Sequence, residues 1–341
     1  MSRTLTFDRA VRRGVLPSLL SLLAACDSST APTARFPRSP AEAQFVTSDV
    51  DRFWTARALG GTAYQARYLD SGTAALREFA ASRSVTAASL QQMSNLLPQY
   101  LGAVRQWWSG IGPADPMFAI MRGNYARLGA LLPDATFPPV YFVVGRFSTG
   151  GTVNQHGLII GTEFYGIDAQ APTGELSAFA GNNQKSWRAD LPLLVAHEHA
   201  HHLQLAAGSR SAAAGQTLLT RALNEGGAEF VGSLAAGAPS FVKFFAAWQA
   251  REREFFLAFA AERHGTGIKR WLFNQGSIAD NANAPWPGDL GYFMGFRIAQ
   301  AYYAKATDKT QALRDLLLVR DAEAIFQASG YAGSGPPIVV P

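Results

Sequence analysis

The sequence predicts an α+β fold, predominantly helical with a small β-sheet, and three observations carry that expectation. Apolar residues recur at helical spacing through most of the chain. One region, residues 139–166, changes to β-rich runs separated by a small-residue turn. Beyond it, a histidine-rich segment has the spacing of a buried helix on which such a sheet can pack. With 341 residues, 48 % hydrophobic and 16 % charged, the chain can bury a sizeable core.

Taken in order, the N-terminus reads as an address. Arginines in residues 1–14 precede VLPSLLSLLAAC, an apolar run too short to span a bilayer comfortably. It ends in Leu23-Ala24-Ala25-Cys26, which resembles a bacterial lipobox, with Cys26 the only cysteine of the chain. Residues 1–25 are therefore expected to be a lipoprotein signal peptide and Cys26 the lipidated residue. The protein would then be exported to the cell envelope, facing the periplasm or the cell surface, and held to the membrane by acyl chains. Asp27 resembles an inner-membrane retention signal. Residues 26–44, rich in Ser, Thr, Ala and Pro, read as a flexible tether.

Residues 45–135 are expected to be a helical region, with Phe53, Ala56 and Leu59, then Leu69, Leu76 and Phe79, then Leu97, Leu101 and Val104 at helical spacing. The segment GIGPADP ends that run. Residues 136–335 would form a second unit. It opens with a β-rich run, PVYFVVGRF (139–147), a turn, STGGT (148–152), and a second run, HGLIIGTEFYG (156–166), read together as a strand pair or hairpin. Helices are predicted over 190–206, 215–236, 240–263, 290–306 and 309–327.

The stretch LLVAHEHAHHLQL (193–205) holds four of the six histidines. His197-Glu198-His199-Ala200-His201 satisfies H-E-x-x-H. On a helix, positions i and i+4 share a face, so His197 and His201 can aim at one ion. Glu198 then reaches the attacking water as general base. Asp190 is a plausible N-cap, and Gly208 a plausible helix end.

A second segment, RALNEGGAEFVG (221–232), puts Glu225 and Glu229 on one helical face. Glu225 can complete a His₂Glu set that leaves a fourth position open, the pattern of a catalytic site. Glu229, one turn on, can hydrogen-bond a ligand imidazole. Gly226 and Gly227 are expected either to let this helix approach the histidine helix closely or to break it locally.

Leu223-Asn224-Glu225-Gly226-Gly227-Ala228-Glu229 resembles the N-E-G-x-A segment of aminopeptidase-N-type metallopeptidases, and less closely the N-E-x-x-S-D segment of thermolysin. The resemblance implies a zincin-like (gluzincin) domain, Zn²⁺ as cofactor, Glu225 as third ligand and Asn224 in its support. The spacer of 23 residues between His201 and Glu225 is slightly longer than usual in those families. Across most of residues 139–331 the chain also resembles a family of predicted zinc-dependent bacterial proteases, through VYFVVGRFSTGGT, GLIIGTEFYG, the H-E-x-x-H helix, NEGGAEF and GYFMGFRIAQAYYAKATDKTQALRDLL. Metallopeptidases of this kind need a donor for the oxyanion. Tyr292 is the favoured candidate, ahead of Tyr302, Tyr303 and His264. Arg297 can contact a carboxylate or neutralise Glu229 or another acid. His199 and His202 point off the ligand face and read as packing or surface residues. His156 opens the second β-rich run, and residues 157–165 are a candidate edge strand for binding extended peptide.

Nucleic acid is excluded as a partner. The net charge of +5 owes much to the first fourteen residues, which hold four arginines and one aspartate, leaving 26 basic against 24 acidic side chains elsewhere. The leading expectation is an envelope zinc hydrolase acting on peptides or proteins. The alternatives are a non-catalytic zinc-binding lipoprotein, with a chaperone or assembly role, and a hydrolase of non-peptide amides.

Overall fold

In a computed structural model of the chain, the residues described are 36–112, 114–165, 172–176, 188–208, 216–240, 247–274 and 286–335. The signal segment and Cys26 lie outside them. The described part of the expected tether is packed rather than extended: Ala43 is buried, Pro37 O accepts from Phe137 N at 2.8 Å, and Gln44 O accepts from Val140 N at 2.8 Å.

The architecture is α+β, mostly helical, with a mixed four-stranded sheet. After β1 (Phe45–Val46) come α1 (Ser48–Leu59), a π-helical segment (Tyr64–Leu69), α2 (Ala74–Ser82), α3 (Ala87–Leu96), α4 (Pro98–Ser109) and α5 (Pro116–Leu131). Local chemistry sets several starts. Thr73 caps α2, Thr86 and Ser89 form a reciprocal capping box on α3, and Asp115 caps α5 ahead of Pro116.

The sheet departs from a simple hairpin of the two β-rich runs. Its order is β1-β2-β4-β3, with β2 (Val140–Val143) parallel to both β1 and β4 (Gly157–Gly161). The hairpin is made instead by β3 (Gly151–Asn154) and β4, antiparallel, with Gly151 opposite Ile160. Gly151 and Thr152 of the expected STGGT turn are therefore strand. The true turn is Asn154–Gly157, where Asn154 Oδ1 accepts from His156 N at 2.9 Å and Gly157 takes a φ of 145°. A side chain at Gly157 would collide with the Pro139 carbonyl. Because β4 is paired on both sides, residues 157–161 are interior, and the edge strand on that side is β3. β1, from the N-terminal helical region, belongs to the same sheet as the strands of the second unit.

The remaining helices are α6 (Leu191–Ala206), α7 (Leu218–Ala236), α8 (Glu252–Glu262), α9 (Leu290–Lys305), α10 (Lys309–Leu318) and α11 (Ala322–Ser329). The expected helix over 309–327 is thus two: Val319 turns left-handed at φ 42°, and Asp321 caps α11 by accepting from Ala324 N at 2.9 Å. Of the expected helix over 240–263, residues 241–246 lie outside the described set. Asp190 makes no side-chain cap on α6; it ends a 3-10 turn, Arg188–Asp190, that leads into it.

Helix α6 packs on β3, β4 and α5 and crosses α7, which in turn lies against α9. Glycines set both α7 crossings. The Gly226 Cα would place any side chain 2.6 Å from the Gly295 Cα, and a side chain at Gly295 would enter the Ala222 carbonyl. So Gly226 serves the contact with α9, not the one with the histidine helix. The approach to α6 comes at Gly232, where a Cβ would lie 3.0 Å from the Ala196 carbonyl carbon and His197 N. No break accompanies the glycine pair; α7 is continuous.

Two substitutions separate these roles. Gly295→Ala should lose about 1–3 kcal/mol or more of stability in urea denaturation, because neither backbone can yield. Gly102→Ala, on α4 with nothing within 4 Å of a new Cβ, should instead gain about 0.5–1 kcal/mol.

Candidate metal centre

Helix α6 is buried nearly all round: His199, His202 and Gln204 are fully buried, and His197, Glu198 and His201 keep at most 6 % exposure. Polar side chains survive such burial by finding partners. Two sets of partners divide the four histidines. His199 Nε2 meets Thr136 O at 2.6 Å and His202 Nε2 meets Thr136 Oγ1 at 3.1 Å, tying α6 to the chain before β2. Burial pushes His199 down to about 4 and His202 to about 3, so both are neutral packing groups.

His197 and His201 face the other way, toward α7. Their ligand atoms and that of Glu225 all lie within 4.8 Å of one another, and all three residues are buried. His201 Nε2 stands 3.1 Å from Glu225 Oε2. Each imidazole is oriented from behind. Glu229 Oε2 lies 2.8 Å from His197 Nδ1, and a carboxylate there fixes the hydrogen on Nδ1. Glu229, fully buried, is itself held by Ser240, whose N–H and hydroxyl donate to its two oxygens. On His201 the same task falls to Gln204. Its Nε2 donates to Asn224 O at 2.7 Å, which leaves its Oε1 to accept from His201 Nδ1 at 2.7 Å. Both rings thereby keep a hydrogen on Nδ1 and leave Nε2 as the nitrogen that can serve as a ligand.

The donor chemistry fits the ion that the sequence implies. Two imidazole nitrogens and one carboxylate oxygen are zinc-type ligands, and three protein ligands leave a position open. The electrostatics agree. Burial lowers the His197 pKa, but the hydrogen bond and charge of Glu229, with Glu198 and Glu225 beyond it, outweigh that and raise it to about 9.

Tyr292, near the start of α9, reaches the same place. Its hydroxyl hydrogen-bonds Glu225, its ring centroid is 6.3 Å from that of His197, and Phe273 meets it edge to face. Burial, then the charges of Glu225 and Asp289, push its pKa well above the usual tyrosine value, so it remains a donor. Glu198 lies on the sheet side of α6, its carboxylate against Gly151 of β3.

Other candidates lie elsewhere. Tyr302 donates to Asp315 Oδ2 at 2.7 Å, Tyr303 packs on Phe230, and His264 is exposed beside Glu323. Arg297 is buried in a two-pronged pair with Glu252, at 2.7 and 3.0 Å, which Tyr331 also joins. It neutralises another acid, not Glu229. His156 pairs with Glu78 at the surface. The side chain of Asn224 contacts Gln216; its link to the cluster runs through its backbone carbonyl and Gln204.

Sequence reasoning missed Gln204, Ser240, Gly151 and Glu163. The last is fully buried, accepts from Gly145 N and Phe147 N at 3.0 Å, and is raised by burial to about 7. Gln204 had a signal, standing one turn after His201 on its face. Ser240 had none.

Residues 162–326 match a family described as predicted Zn-dependent protease (DUF2268). The matched segment carries the cluster, Glu198, Glu229 and Tyr292, and begins at the end of β4. No curated protein and no solved structure matches the chain. The description of that family and the buried His–His–Glu cluster agree on zinc as the ion.

Gln204→Ala should weaken zinc binding about 10–100-fold in chelator competition, since it frees the ring that Gln204 orients. Unchanged affinity would remove Gln204 from the centre.

Proposed function

We propose that this protein is a zinc peptidase of the gluzincin type, anchored to the cell envelope through lipid on Cys26. The observation that carries the reading is the buried cluster of His197, His201 and Glu225 with Glu198 one residue from a ligand and pointed at the edge strand. His197 and His201 would hold zinc through Nε2 and Glu225 through a carboxylate oxygen. Zinc bound there supplies a Lewis acid that polarises the scissile carbonyl and acidifies water.

The rest of the chemistry belongs to this chain's own groups. Glu198 accepts a proton from the attacking water on its carboxylate and delivers it to the departing amine nitrogen. Its charge acts on both His197 and Tyr292, which supports this role. Tyr292, kept protonated, offers its hydroxyl to the oxygen on which negative charge develops. The substrate's backbone has a strand to lie against. In the β3–β4 ladder Gly161 N donates to Gly150 O, so residues 150, 152 and 154 bond inward and residues 151 and 153 turn their backbone groups away from β4. An extended peptide can pair with that outer edge, beside Glu198.

Among the described residues no helix is long and apolar enough to cross a membrane. Membrane attachment in this reading rests on the acyl chains at Cys26, and a peptide or protein of the envelope is the substrate.

Wild-type protein should carry one zinc per chain and cleave members of a mixed peptide library. Glu198→Gln should keep the zinc and lose at least about 100-fold in kcat. Zinc in both with cleavage in neither would sink the peptidase. In detergent phase separation of cells making the full chain, wild type should enter the detergent phase and Cys26→Ser should not; equal partitioning would sink the anchor.

A further inference from the structure

Gly151 opens β3, and its backbone gives no reason for glycine. Its φ lies outside the left-handed region, and it takes an ordinary place in the ladder opposite Ile160. Glycine in a strand is a weakening choice, and it often marks a site where another group approaches closely. Here that group is Glu198. A Cβ on Gly151 would stand 2.5 Å from Glu198 Oε1, 2.6 Å from its Cγ and 2.8 Å from its Cδ. The carboxylate occupies the volume in which any other residue would keep its side chain.

We propose that Gly151 is a positioning residue: its bare Cα is the surface that sets where the Glu198 carboxylate lies. The catalytic consequence rests on the hydrolase reading above; the steric relation does not.

Which partner would yield to a side chain follows from how each is held. Strand β3 is pinned. Gly161 N donates to Gly150 O at 3.0 Å, and Thr149 Oγ1 donates to Gly151 O at 2.6 Å. Upstream, Glu163 holds the 145–147 turn through Gly145 N and Phe147 N. Helix α6 is pinned as well, its backbone at Ala196 and His197 in close contact with Gly232 of α7. Neither backbone can retreat. The Glu198 side chain, with three rotatable bonds, is the part that moves. A methyl group at position 151 is therefore absorbed at small cost in stability, and at large cost in function, because displacing a reacting group by about 1 Å can lose about 100-fold in rate.

The test is a double-mutant cycle in the full chain, comparing wild type, Gly151→Ala, Glu198→Ala and the pair. With Glu198 truncated the new methyl meets no carboxylate, and a glycine-to-alanine change at a compatible φ should raise Tm by about 1–2 °C. In the wild-type background the same change should give no such rise. On peptide, Gly151→Ala should lower kcat about 100-fold with KM and zinc content unchanged. Equal Tm changes in both backgrounds, or a Gly151→Ala enzyme with wild-type kcat, would overturn the proposal. So would a Gly151→Ala chain that fails to fold, since strand or helix would then be taking the displacement. A wild-type protein that turns over no peptide would defeat the hydrolase reading alone, and the Tm cycle would still decide whether Gly151 places Glu198.

Discussion

The centre depends on how closely helix α7 can lie against its two neighbours. It carries Glu225 next to Gly226, where it crosses α9, and less than two turns before Gly232, where it crosses α6. The first brings the Tyr292 hydroxyl to Glu225, and the second brings Glu225 to His201. Side chains at either glycine would separate the helices by roughly the width of a methyl group, well beyond the tolerance of a ligand set. Helix propensity is given up at both positions, at about 1 kcal/mol each, and the geometry of the cluster is what the sacrifice secures.

Once the helices are that close, the polar residues between them have to be oriented by the protein, since little water reaches them. Glu229 and Gln204 do this from opposite sides and with different chemistry. Glu229 brings a charge to His197, with Ser240 saturating its oxygens. Gln204 brings a neutral carbonyl to His201 and anchors its own amide on the Asn224 backbone. The orientation is the same on both rings, and the Glu229 carboxylate also raises the His197 pKa. His199 and His202, on the opposite face of the same helix, show what these rings become without a carboxylate: neutral spacers on Thr136.

What was legible in the sequence was what lies at fixed spacing on one element. His197 and His201 are one helical turn apart, as are Glu225 and Glu229, and both helices run close to their expected bounds. The helical character of residues 46–132 and the mixed α+β composition were legible for the same reason. What was not legible depends on which elements become neighbours. β2 and β4 look like a hairpin because they are the two most β-rich runs nearby, yet they pair parallel, with a weaker run, GTVN, closing the sheet beyond β4. Small residues at 148–152 read as a turn by composition, while Gly151 is small because Glu198 lies over it. Gly226 was assigned to the wrong partner helix, since a glycine announces a close approach without naming what approaches.

Charge completes the argument for a cation. Around two imidazoles the fold gathers the carboxylates of Glu198, Glu225 and Glu229, each more than nine-tenths buried. Burying anions together is costly unless a cation shares the space. The same carboxylates push the His197 pKa upward, because binding a proton is the nearest compensation these groups can obtain by themselves. A proton supplies one charge at one nitrogen. A divalent ion supplies two at a point open to both Nε2 atoms and to Glu225, so it answers the same electrostatic demand more completely than any side chain of the cluster can. The pairing of Glu229 with His197 and of Gln204 with His201 also does more than hold the rings: it keeps a ring hydrogen on each Nδ1, so that a cation drawn there by the carboxylates has only the proton on the other nitrogen of His197 to displace.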